Sequence, residues 1–457
     1  MPCDRTLSYA DSAAAGAEAT YVSPYLVVAL ECERPLAAPV RLSLGEVDAC
    51  AIGRGDERTW SRHSDGGTPA LRIALPDGWM SGRHAALARE PAGWTLRDAG
   101  SKNGTFLNGS AVAEAALADG DLIEAGSTCF LFRDRARRAP RDPVDLVAGA
   151  APHPALATLN PELARQLAAL VPLAASPVPI VLAGATGTGK ELTARAVHDL
   201  SGRPGAFVAV NCGALPEALV EGELFGARRG AYSGATEDRP GLVRAAHRGT
   251  LFLDEIAELP HGSQVKLLRV LQEEEVLPLG ATTPVAVDLR VVAASHASLP
   301  ALVDAGRFRA DLYARLAGAT VALPPLCERR EDIGLIAAAV IQRAVGDGAH
   351  AVRFEREAAR ALFLHRWPLN VRELEQALRA ALALAGADRR IALAHLPEAI
   401  RGRAAPAGDP ALRDQLVRLL AENAGNISAV ARAMGKARVQ VRRWCRRLGI
   451  DPDAYRT

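Results

Sequence analysis

Short apolar runs separated by turn residues dominate the first part of the chain. The clearest of these runs are Tyr25–Leu30, Leu71–Ala74, Trp94–Arg97 and Cys129–Phe132. Gly, Asp and Asn stand between them, and frequent turn residues between short strands predict an all-β sandwich. We therefore predict a β-sandwich domain over residues 22–134. A linker rich in Arg, Pro, Ala and Asp is expected over 135–155.

From residue 156 the pattern changes, because apolar strands now alternate with helical stretches. Pro179–Ala183, Thr250–Leu253 and Leu289–Ala293 are predicted strands, and Glu191–Leu200 is a predicted helix that follows a glycine-rich loop. Such alternation predicts a parallel α/β sheet. We place this α/β subdomain at 156–326. Residues 327–401 are predicted to be wholly helical.

The end of the chain is helical and basic. A linker of Gly, Pro and Ala is expected over 402–410. Residues 411–457 follow as an all-α domain with ten Lys and Arg residues against four Asp and Glu. The predicted fold class is thus multidomain, with a β-sandwich, an α/β domain with a helical subdomain, and an all-α domain.

Composition places the chain among soluble intracellular proteins. Of its 457 residues 49% are hydrophobic and 23% charged, and the net charge is only +2, which is ordinary for a globular protein. Seven cysteines are scattered without a C-x-x-C pair, which indicates a reducing compartment. We find no charge-free run of 18 apolar residues and no signal pattern, so we expect a cytoplasmic protein without a membrane partner.

A glycine-rich loop, GATGTGKE, follows the first predicted strand of the α/β subdomain and opens a helix. Backbone amides of such a loop cradle phosphate oxygens, and Lys190 is expected to reach the β- and γ-phosphates. The bland alternative is a structural turn rich in glycine. The predicted ATP-binding residues of the loop are Gly184, Ala185, Thr186, Gly187, Thr188, Gly189, Lys190 and Glu191. Glu191 stands where a general P-loop has the Ser or Thr that contacts Mg²⁺.

A second apolar strand ends in two carboxylates, in the string GTLFLDEI. We predict that Asp254 holds Mg²⁺ and that Glu255 polarises the attacking water. An ordinary acidic strand end is the alternative. The phosphate loop about 60 residues upstream disfavours it, because that spacing is allowed by the P-loop pattern.

The stretch 160–400 resembles the AAA+ domain of bacterial enhancer-binding proteins, which activate sigma-54 RNA polymerase. The resemblance covers the domain in family order, and Glu is usual in that family at the position of Glu191. It is carried by the strings VNCGAL, ELFGARRGAYSGA, GTLFLDEIAELP, RVVAASH, GRFRADLYARL, LPPLCERREDI and WPLNVRELE.

The resemblance implies a role for several further residues. Asn211 matches the residue that holds the catalytic glutamate, here Glu255, until nucleotide is sensed. Arg309 and Arg315 match arginine fingers that a neighbouring subunit inserts, Arg372 matches the sensor II arginine, and His296 stands at sensor I. Fingers supplied by a neighbour imply a homo-oligomeric ring, and the family assembles hexamers.

The GAYSGA string resembles the GAFTGA loop with which the family contacts sigma-54 and remodels the closed promoter complex. Its aromatic ring and its hydroxyl are both kept, as Tyr and Ser. The implied contact residues are Gly230, Ala231, Tyr232, Ser233, Gly234 and Ala235. The loop around Gly280 resembles the family's second, supporting loop.

The last helices read NISAVARAMG and KARVQVRRWCRRLGI, with Gly435 at the turn and Ser428 as the expected N-cap. Basic density on the second helix suits phosphate contacts and reading of base edges, although a charge run is more often a solvated face. The stretch resembles a Fis-type helix-turn-helix, which implies enhancer DNA as a partner. The predicted DNA-binding residues are Lys436, Arg438, Gln440, Arg442, Arg443 and Arg446.

The β-sandwich block contains IGRG, SGRHAAL, DAGSKNGTFLNG and LADGDLIEAG, which together resemble a forkhead-associated (FHA) domain. That resemblance implies binding of phosphothreonine, since a phosphate dianion needs guanidinium, hydroxyl and amide donors on rigid loops. A phosphothreonine-containing protein or a Ser/Thr kinase is the implied partner. The predicted contacts are Arg54, Ser81 and Asn103, with Arg83 and Lys102 as additional cations.

Three neighbouring residues have expected structural roles. His84 is predicted to be a buried, hydrogen-bonded histidine, and Gly53 and Gly104 are predicted to be turn glycines. The stretch from Asp56 to Thr68 is expected to be a long polar loop that affects peptide preference.

Three functions stay open on the sequence alone. The leading hypothesis is a sigma-54-dependent activator whose ATPase ring, with ATP and Mg²⁺, is controlled by phosphothreonine recognition. The second is a DNA-binding regulator or repressor that keeps the ATPase fold without contacting sigma-54. The third is a phosphothreonine adaptor with a vestigial motor, which the intact Lys190, Asp254 and Glu255 disfavour.

Overall fold

The structure is a computed structural model that describes most of the chain. The described residues are 20–134, 137–149, 151–231, 237–404, 410–423, 425–434, 438, 441, 445, 450 and 452–455. Among them, no helix has the length and apolar character needed to cross a membrane.

The N-terminal part is a sandwich of two β-sheets. Its strands are β1 Tyr21–Val22, β2 Tyr25–Glu31, β3 Val40–Ser43, β4 Ala49–Arg54, β5 Thr59–Asp65, β6 Thr68–Leu75, β7 Ala85–Glu90, β8 Gly93–Asp98, β9 Thr105–Leu107, β10 Ser110–Val112, β11 Glu114–Ala116, β12 Leu122–Ala125, β13 Thr128–Arg133, β14 Arg137–Arg138 and β15 Asp145–Val147. One sheet has the order β10-β9-β12-β13-β2-β3-β15 and the other β11-β8-β7-β4-β6-β5. The four strands predicted in this region are all present.

Strand β2 is buried along its whole length, which explains its continuous apolar sequence. Leu26 and Val28 face the interior of the sandwich, whereas Tyr25, Val27 and Ala29 face the opposite side and join a different core. Alternate side chains of a strand point to opposite faces of its sheet. The sheet that contains β2 is therefore covered on both faces.

Two segments differ from the predictions. The expected linker 135–155 contributes two strands: β15 pairs with β3 at the edge of one sandwich sheet, and β14 pairs with β1 in a separate two-stranded sheet. The expected loop 56–68 is largely a hairpin, because β5 pairs with β6 through a turn at Gly66 and Gly67. Both glycines have positive φ, which a tight hairpin turn requires.

The α/β subdomain contains five parallel strands in the order β17-β18-β21-β16-β22. Its elements are α1 Pro161–Ala174, β16 Ile180–Ala183, α2 Lys190–Ser201, β17 Phe207–Asn211, α3 Glu217–Phe225, α4 Leu242–Ala245, β18 Thr250–Asp254, α5 His261–Glu273, β19 Glu275–Val276, β20 Val285–Ala286, β21 Arg290–Ser295, α6 Leu299–Asp304, α7 Ala310–Leu316 and β22 Ala319–Ala322. The carboxyl ends of β16, β18 and β21 lie side by side. This edge of the sheet holds the glycine-rich loop and the acidic pair Asp254 and Glu255.

The subdomain predicted to be wholly helical is helical apart from one short parallel strand pair. It consists of α8 Ile333–Val345, β23 Arg353–Phe354, α9 Arg356–Leu364, α10 Asn370–Ala385, β24 Arg390–Ile391 and α11 Glu398–Ala404. Helix α11 extends into the predicted linker 402–410. The described part of the C-terminal domain contains α12 Pro410–Glu422 and α13 Ile427–Ala433, around a small core with Leu416, Leu420 and Val430.

The sandwich and the helical subdomain share one hydrophobic core. Tyr25, Val27 and Leu131 of the sandwich cluster with residues of helices α8, α9 and α10. Helix α8 comes so close to β2 that a Cβ on Gly334 would stand 1.8 Å from the carbonyl oxygen of Ala29. Only glycine fits there without displacement of the backbone.

A buried ion pair lies at the same interface. Arg360 of α9 donates from Nε and one terminal nitrogen to the two carboxylate oxygens of Glu124 in β12, at 2.7 and 2.8 Å. The Glu124 side chain is fully buried and that of Arg360 is 7% exposed. Removing one partner of a buried pair leaves the other charge without compensation.

We expect Arg360→Met to lower the free energy of unfolding by about 3–5 kcal/mol, because the buried Glu124 carboxylate loses both short hydrogen bonds and keeps only Arg356, at 3.8 Å. Urea unfolding measures this, with the buried Trp94 of the sandwich and Trp367 of the helical subdomain as fluorescent probes. Arg343→Met is the matched control, since Arg343 pairs with Glu375 on the surface of the helical subdomain and should cost at most about 1 kcal/mol. Equal effects of the two changes would contradict a stabilising role of the interface pair.

Candidate functional site

The predicted phosphate loop lies between β16 and α2, as the sequence indicated. Gly184, Gly187 and Gly189 all have positive φ, of 156°, 79° and 103°. A Cβ on Gly187 would stand 2.3 Å from the carbonyl oxygen of Leu369. Glycine is thus required at this position by the backbone conformation and by the close approach of the helical subdomain.

Lys190 is the first residue of α2 and is 6% exposed. Its ammonium group donates to the carbonyl oxygens of Gly184 and Ala185, at 2.8 and 3.2 Å. Burial lowers the pKa of Lys190, and Asp254 and Glu255 partly oppose this effect. The loop therefore curls around the ammonium group of Lys190, which its own carbonyl oxygens hold in place.

Asp254 is the last residue of β18 and Glu255 follows it in a left-handed conformation, with φ 53°. Burial raises the pKa of the Asp254 carboxyl; Lys190 lowers it, and Glu255 raises it further. A non-glycine residue in the left-handed region costs energy and is concentrated at functional sites. The two carboxylates thus converge with Lys190 at the carboxyl edge of the sheet.

The contact expected between Asn211 and Glu255 is replaced by another in this structure. The Glu255 carboxylate contacts Nδ1 of His296, which follows the last residue of the neighbouring strand β21. The Asn211 side-chain oxygen instead accepts hydrogen bonds from the amides of Gly213 and Ala214, at 3.0 and 3.1 Å. These nearby amides form a tight turn that satisfies Asn211 locally, although it lies opposite Asp254 in the strand register.

Two side chains of the helical subdomain hold the phosphate loop, and sequence reasoning missed both. Asn370 donates from its side-chain nitrogen to the Thr186 carbonyl oxygen at 2.9 Å and accepts from the Leu326 amide. Arg329, 8% exposed, donates to the Thr188 carbonyl oxygen. The positive φ of Asn370, 58°, has no clear sequence signal beyond the tolerance of asparagine for this conformation.

The predicted sensor II arginine and the two predicted arginine fingers lie at different places. Arg372 is exposed, and its Cβ is next to Gly187 of the phosphate loop. Arg309 caps α7 and donates to both oxygens of Asp311, at 3.0 and 2.6 Å. Arg315 is exposed at the other end of α7, where it donates to the Leu271 carbonyl oxygen at 3.1 Å. Arg309 and Arg315 are thus presented on one surface helix.

The base of the predicted sigma-54 contact loop is described, and its centre is not. Gly230 and Ala231 are present, and a Cβ on Gly280 would stand 3.0 Å from that of Ala231, so the loop around Gly280 supports the first loop at its base. The predicted contacts Tyr232, Ser233, Gly234 and Ala235 lie outside the described residues.

The predicted phosphothreonine residues come together at one end of the sandwich. The Ser81 hydroxyl accepts from the Lys102 amide at 3.0 Å, and the Ser81 carbonyl accepts from the Arg54 amide at 2.9 Å. Asn103 donates from its side chain to the Trp79 carbonyl oxygen at 2.7 Å. Arg54, Arg83, Lys102 and Asn103 are all exposed, so the cluster presents cations and an amide to solvent.

The residues with expected structural roles agree in part with the predictions. His84 is fully buried; its Nδ1 accepts from the Ser81 amide at 3.0 Å, and its Nε2 lies 3.3 Å from the Gly104 carbonyl oxygen. Gly104 has φ 76°, as a turn requires. Gly53 is in strand β4 rather than in a turn, and a Cβ there would stand 2.1 Å from the Gly82 carbonyl oxygen.

Of the predicted DNA-binding residues, Arg438 is described and is exposed on a helix. Lys436, Gln440, Arg442, Arg443 and Arg446 lie outside the described residues. The N-cap predicted at Ser428 is wrong, because Asn426 caps α13 by accepting from the amides of Ser428 and Ala429. Asparagine is among the best N-cap residues, and here it precedes the serine by two positions.

Three family models match successive parts of the chain. Residues 156–322 match the sigma-54 interaction domain, residues 327–412 the AAA+ ATPase lid domain, and residues 50–126 the FHA domain. We hereafter call the helical subdomain the lid and the sandwich the FHA domain.

Curated relatives match across the same region. The response regulator protein PilR of Pseudomonas aeruginosa is 43% identical over 61% of this chain and 66% of its own length. The transcriptional regulatory protein GlrR of Escherichia coli K12 is 40% identical over 66% of this chain and 70% of its own. The ATP complex of NtrX from Brucella abortus is similar at 30% identity and TM-score 0.48, covering 64% and 69% of the two chains.

The chain belongs to the family of transcriptional regulators that carry a sigma-54 interaction domain. It spans about half to two thirds of the length of the curated relatives that it matches first, from 46% to 66%.

The raised pKa of Asp254 gives a pH-dependent prediction. A carboxyl whose folded pKa lies above its unfolded value of about 3.9 stabilises the fold below that value and loses this contribution as pH rises through the folded pKa. We therefore compare the melting temperatures of Asp254→Asn and of the unchanged protein. As pH rises from about 4 to 7, the difference should shift in favour of the variant.

Asp311→Asn is the control of opposite sign. The hydrogen bond with Arg309 lowers the pKa of Asp311, so the stabilisation that Asp311 contributes is lost as pH falls. The difference in melting temperature between Asp311→Asn and the unchanged protein should therefore shift in favour of the variant in acid. A melting-temperature difference for Asp254→Asn that does not vary with pH would contradict the assignment. Both series are measured by thermal denaturation without nucleotide.

Proposed function

We propose that this protein is a sigma-54-dependent transcriptional regulator whose AAA+ ring hydrolyses ATP to remodel the closed complex of sigma-54 RNA polymerase. The observation that carries the proposal is the convergence of Lys190, Asp254 and Glu255 at one edge of the sheet, in a chain of this family. A DNA-bound regulator without a motor would not need these three groups together.

The residues at this edge suit a magnesium nucleotide. Lys190 lies in a curled loop of backbone that offers a cation to phosphates, and two carbonyl oxygens hold it there. Asp254 is a half-buried carboxylate whose pKa is raised by burial, lowered by Lys190 and raised by Glu255. It would hold Mg²⁺, which when bound to ATP neutralises charge on the phosphates.

Glu255 would orient and polarise the attacking water. Its carboxylate is held by His296 in the structure, so it must leave that contact, or act beside it, to reach a water molecule at the nucleotide. His296 directly follows the end of the neighbouring strand β21, and movement of that strand end would therefore control the glutamate. Asn211, opposite Asp254, stays a candidate for the same control once its local turn opens.

The two arginines of α7 support a ring. Arg315 is exposed and bonded only through its Nε to a backbone carbonyl in the described contacts, which leaves its terminal nitrogens available. Arg309 is paired with Asp311 and would have to exchange this partner for a phosphate. Both would reach the nucleotide of a neighbouring subunit, as expected for a homo-oligomer of the hexameric kind.

The remaining roles complete the proposal. The GAYSGA loop at Gly230–Ala235 would contact sigma-54, and the basic C-terminal helix with Arg438 would place the ring on enhancer DNA. Arg54, Ser81 and Asn103, with Arg83 and Lys102, would bind a phosphothreonine-containing protein or a Ser/Thr kinase. The exposed cations of this cluster support that assignment.

Transcription in vitro with sigma-54 polymerase tests the proposal. Glu255→Gln should bind ATP but lower its hydrolysis by about 10²-fold or more, because the group that polarises water is lost. Tyr232→Ala should hydrolyse ATP and fail to activate. DNA binding should be kept in both variants.

Tyr232→Phe is the matched control, since it keeps the ring and should activate fully. Full activation by both Glu255→Gln and Tyr232→Ala would rule the proposal out. If the unchanged protein hydrolyses ATP but yields no sigma-54-dependent transcript, it is a DNA-bound ATPase with another function.

A further inference from the structure

The FHA domain is built into the lid in this structure, and the contact reaches towards both ligand sites. Besides the shared core, the Tyr25 hydroxyl donates to the buried Glu331 carboxylate at 3.0 Å, and Arg330 donates to the Gly120 carbonyl oxygen at 2.7 Å. Both hydrogen bonds therefore join the FHA domain to the lid across their interface.

One end of the contact adjoins the phosphothreonine cluster. After Asn103 the chain passes Gly104, held by His84, and Thr105, whose hydroxyl donates to Asp98 at 2.6 Å. Phe106 follows at once. Its ring lies 4.2 Å from the guanidinium of Arg356 and 5.9 Å from that of Arg360.

Phe106 and Glu124 both contact Arg360 of the lid. They are directly opposite each other in the pairing of β9 with β12, so their side chains lie on one face of the sheet. Arg360 therefore meets an aromatic ring and a carboxylate presented by adjacent strands. Gly109, two residues after β9, leaves room for this side chain, since a Cβ there would stand 2.9 Å from Cδ of Arg360.

The other end of the contact adjoins the nucleotide loop. Helix α9 carries Arg356 and Arg360, and near its end the Leu362 carbonyl accepts from the Trp367 indole at 2.9 Å. Asn370, three residues after Trp367, donates to the Thr186 carbonyl oxygen at 2.9 Å. The Val371 amide donates to the Gly187 carbonyl oxygen, also at 2.9 Å. Trp367 and Asn370 both have positive φ, so this short connection has a specific conformation.

From these contacts we infer that occupation of the phosphothreonine cluster and of the nucleotide loop are coupled within one subunit, through Phe106, helix α9 and Asn370. The inference rests on the proposed function, because it requires both ligands to bind. The Asn103 amide has a second N–H besides the one that bonds to Trp79, and a phosphate bound there would act on the loop that leads to Phe106. Coupling between two sites is reciprocal, so nucleotide must change phosphopeptide affinity by the same factor.

The test uses the full chain and a phosphothreonine peptide selected on it from a degenerate library. The dissociation constant of the peptide is measured by fluorescence anisotropy, with and without saturating magnesium ADP. We expect it to change by about fivefold or more. The same peptide without phosphate should not bind, and Arg54→Met should abolish binding.

Two variants test the route. In Arg356→Met and in Phe106→Leu, ADP should leave the dissociation constant of the peptide nearly unchanged. Each ligand alone should still bind within about twofold of its normal affinity, since neither residue touches a ligand. Arg356 is partly exposed, so its variant should fold even if Phe106→Leu does not. Arg343→Met, on the same lid but paired only with Glu375 in the described contacts, should keep the full effect.

The outcomes separate the two claims. Peptide affinity that is the same with and without ADP overturns the inference and leaves the proposed function intact. Undiminished coupling in Arg356→Met and Phe106→Leu overturns the route. If no phosphothreonine peptide is retained at all, the phosphothreonine part of the proposed function fails, and the inference fails with it.

Discussion

The burial of one sheet of the FHA domain on both faces is the constraint on which the rest of the structure depends. Strand β2 contributes alternate side chains to the interior of the sandwich and to the lid. The backbone contact at Gly334 and the pair of Glu124 with Arg360 fix the distance and the register of the two domains. A domain held in this way forms one body with the lid.

In this arrangement short segments connect the predicted phosphothreonine cluster with the predicted phosphate loop. The phosphothreonine cluster is on loops whose next strand contacts α9, and the phosphate loop is held by residues that follow α9. Small shifts are transmitted by packed elements because packed cores resist continuous deformation. Under the proposed coupling the lid would respond to both ligands, whereas the sheet that carries Lys190 and Asp254 would stay in place.

Much of the fold could be predicted because its signals are local. The apolar runs of β2, β13 and β18 and the glycines before Lys190 each specify their own element, and the structure has them within one or two residues. The contacts between domains could not be predicted, since Arg360 and Glu124 are 236 residues apart and each resembles a surface charge. Gly334 resembles an unremarkable helix glycine. The contact of His296 with Glu255, the phosphate-loop contact of Asn370 and the cap at Asn426 were missed because they depend on the three-dimensional arrangement or on a choice between adjacent polar residues.

Native-state hydrogen exchange of the full chain tests most directly whether the FHA domain and the lid are one body. The slowest amides of β2 and of α8 are compared as low concentrations of urea are added. If the two share one core, they exchange through the same opening and their free energies of opening converge on one value. Convergence on two separate values, with the FHA strand opening independently of the lid helix, would contradict the account.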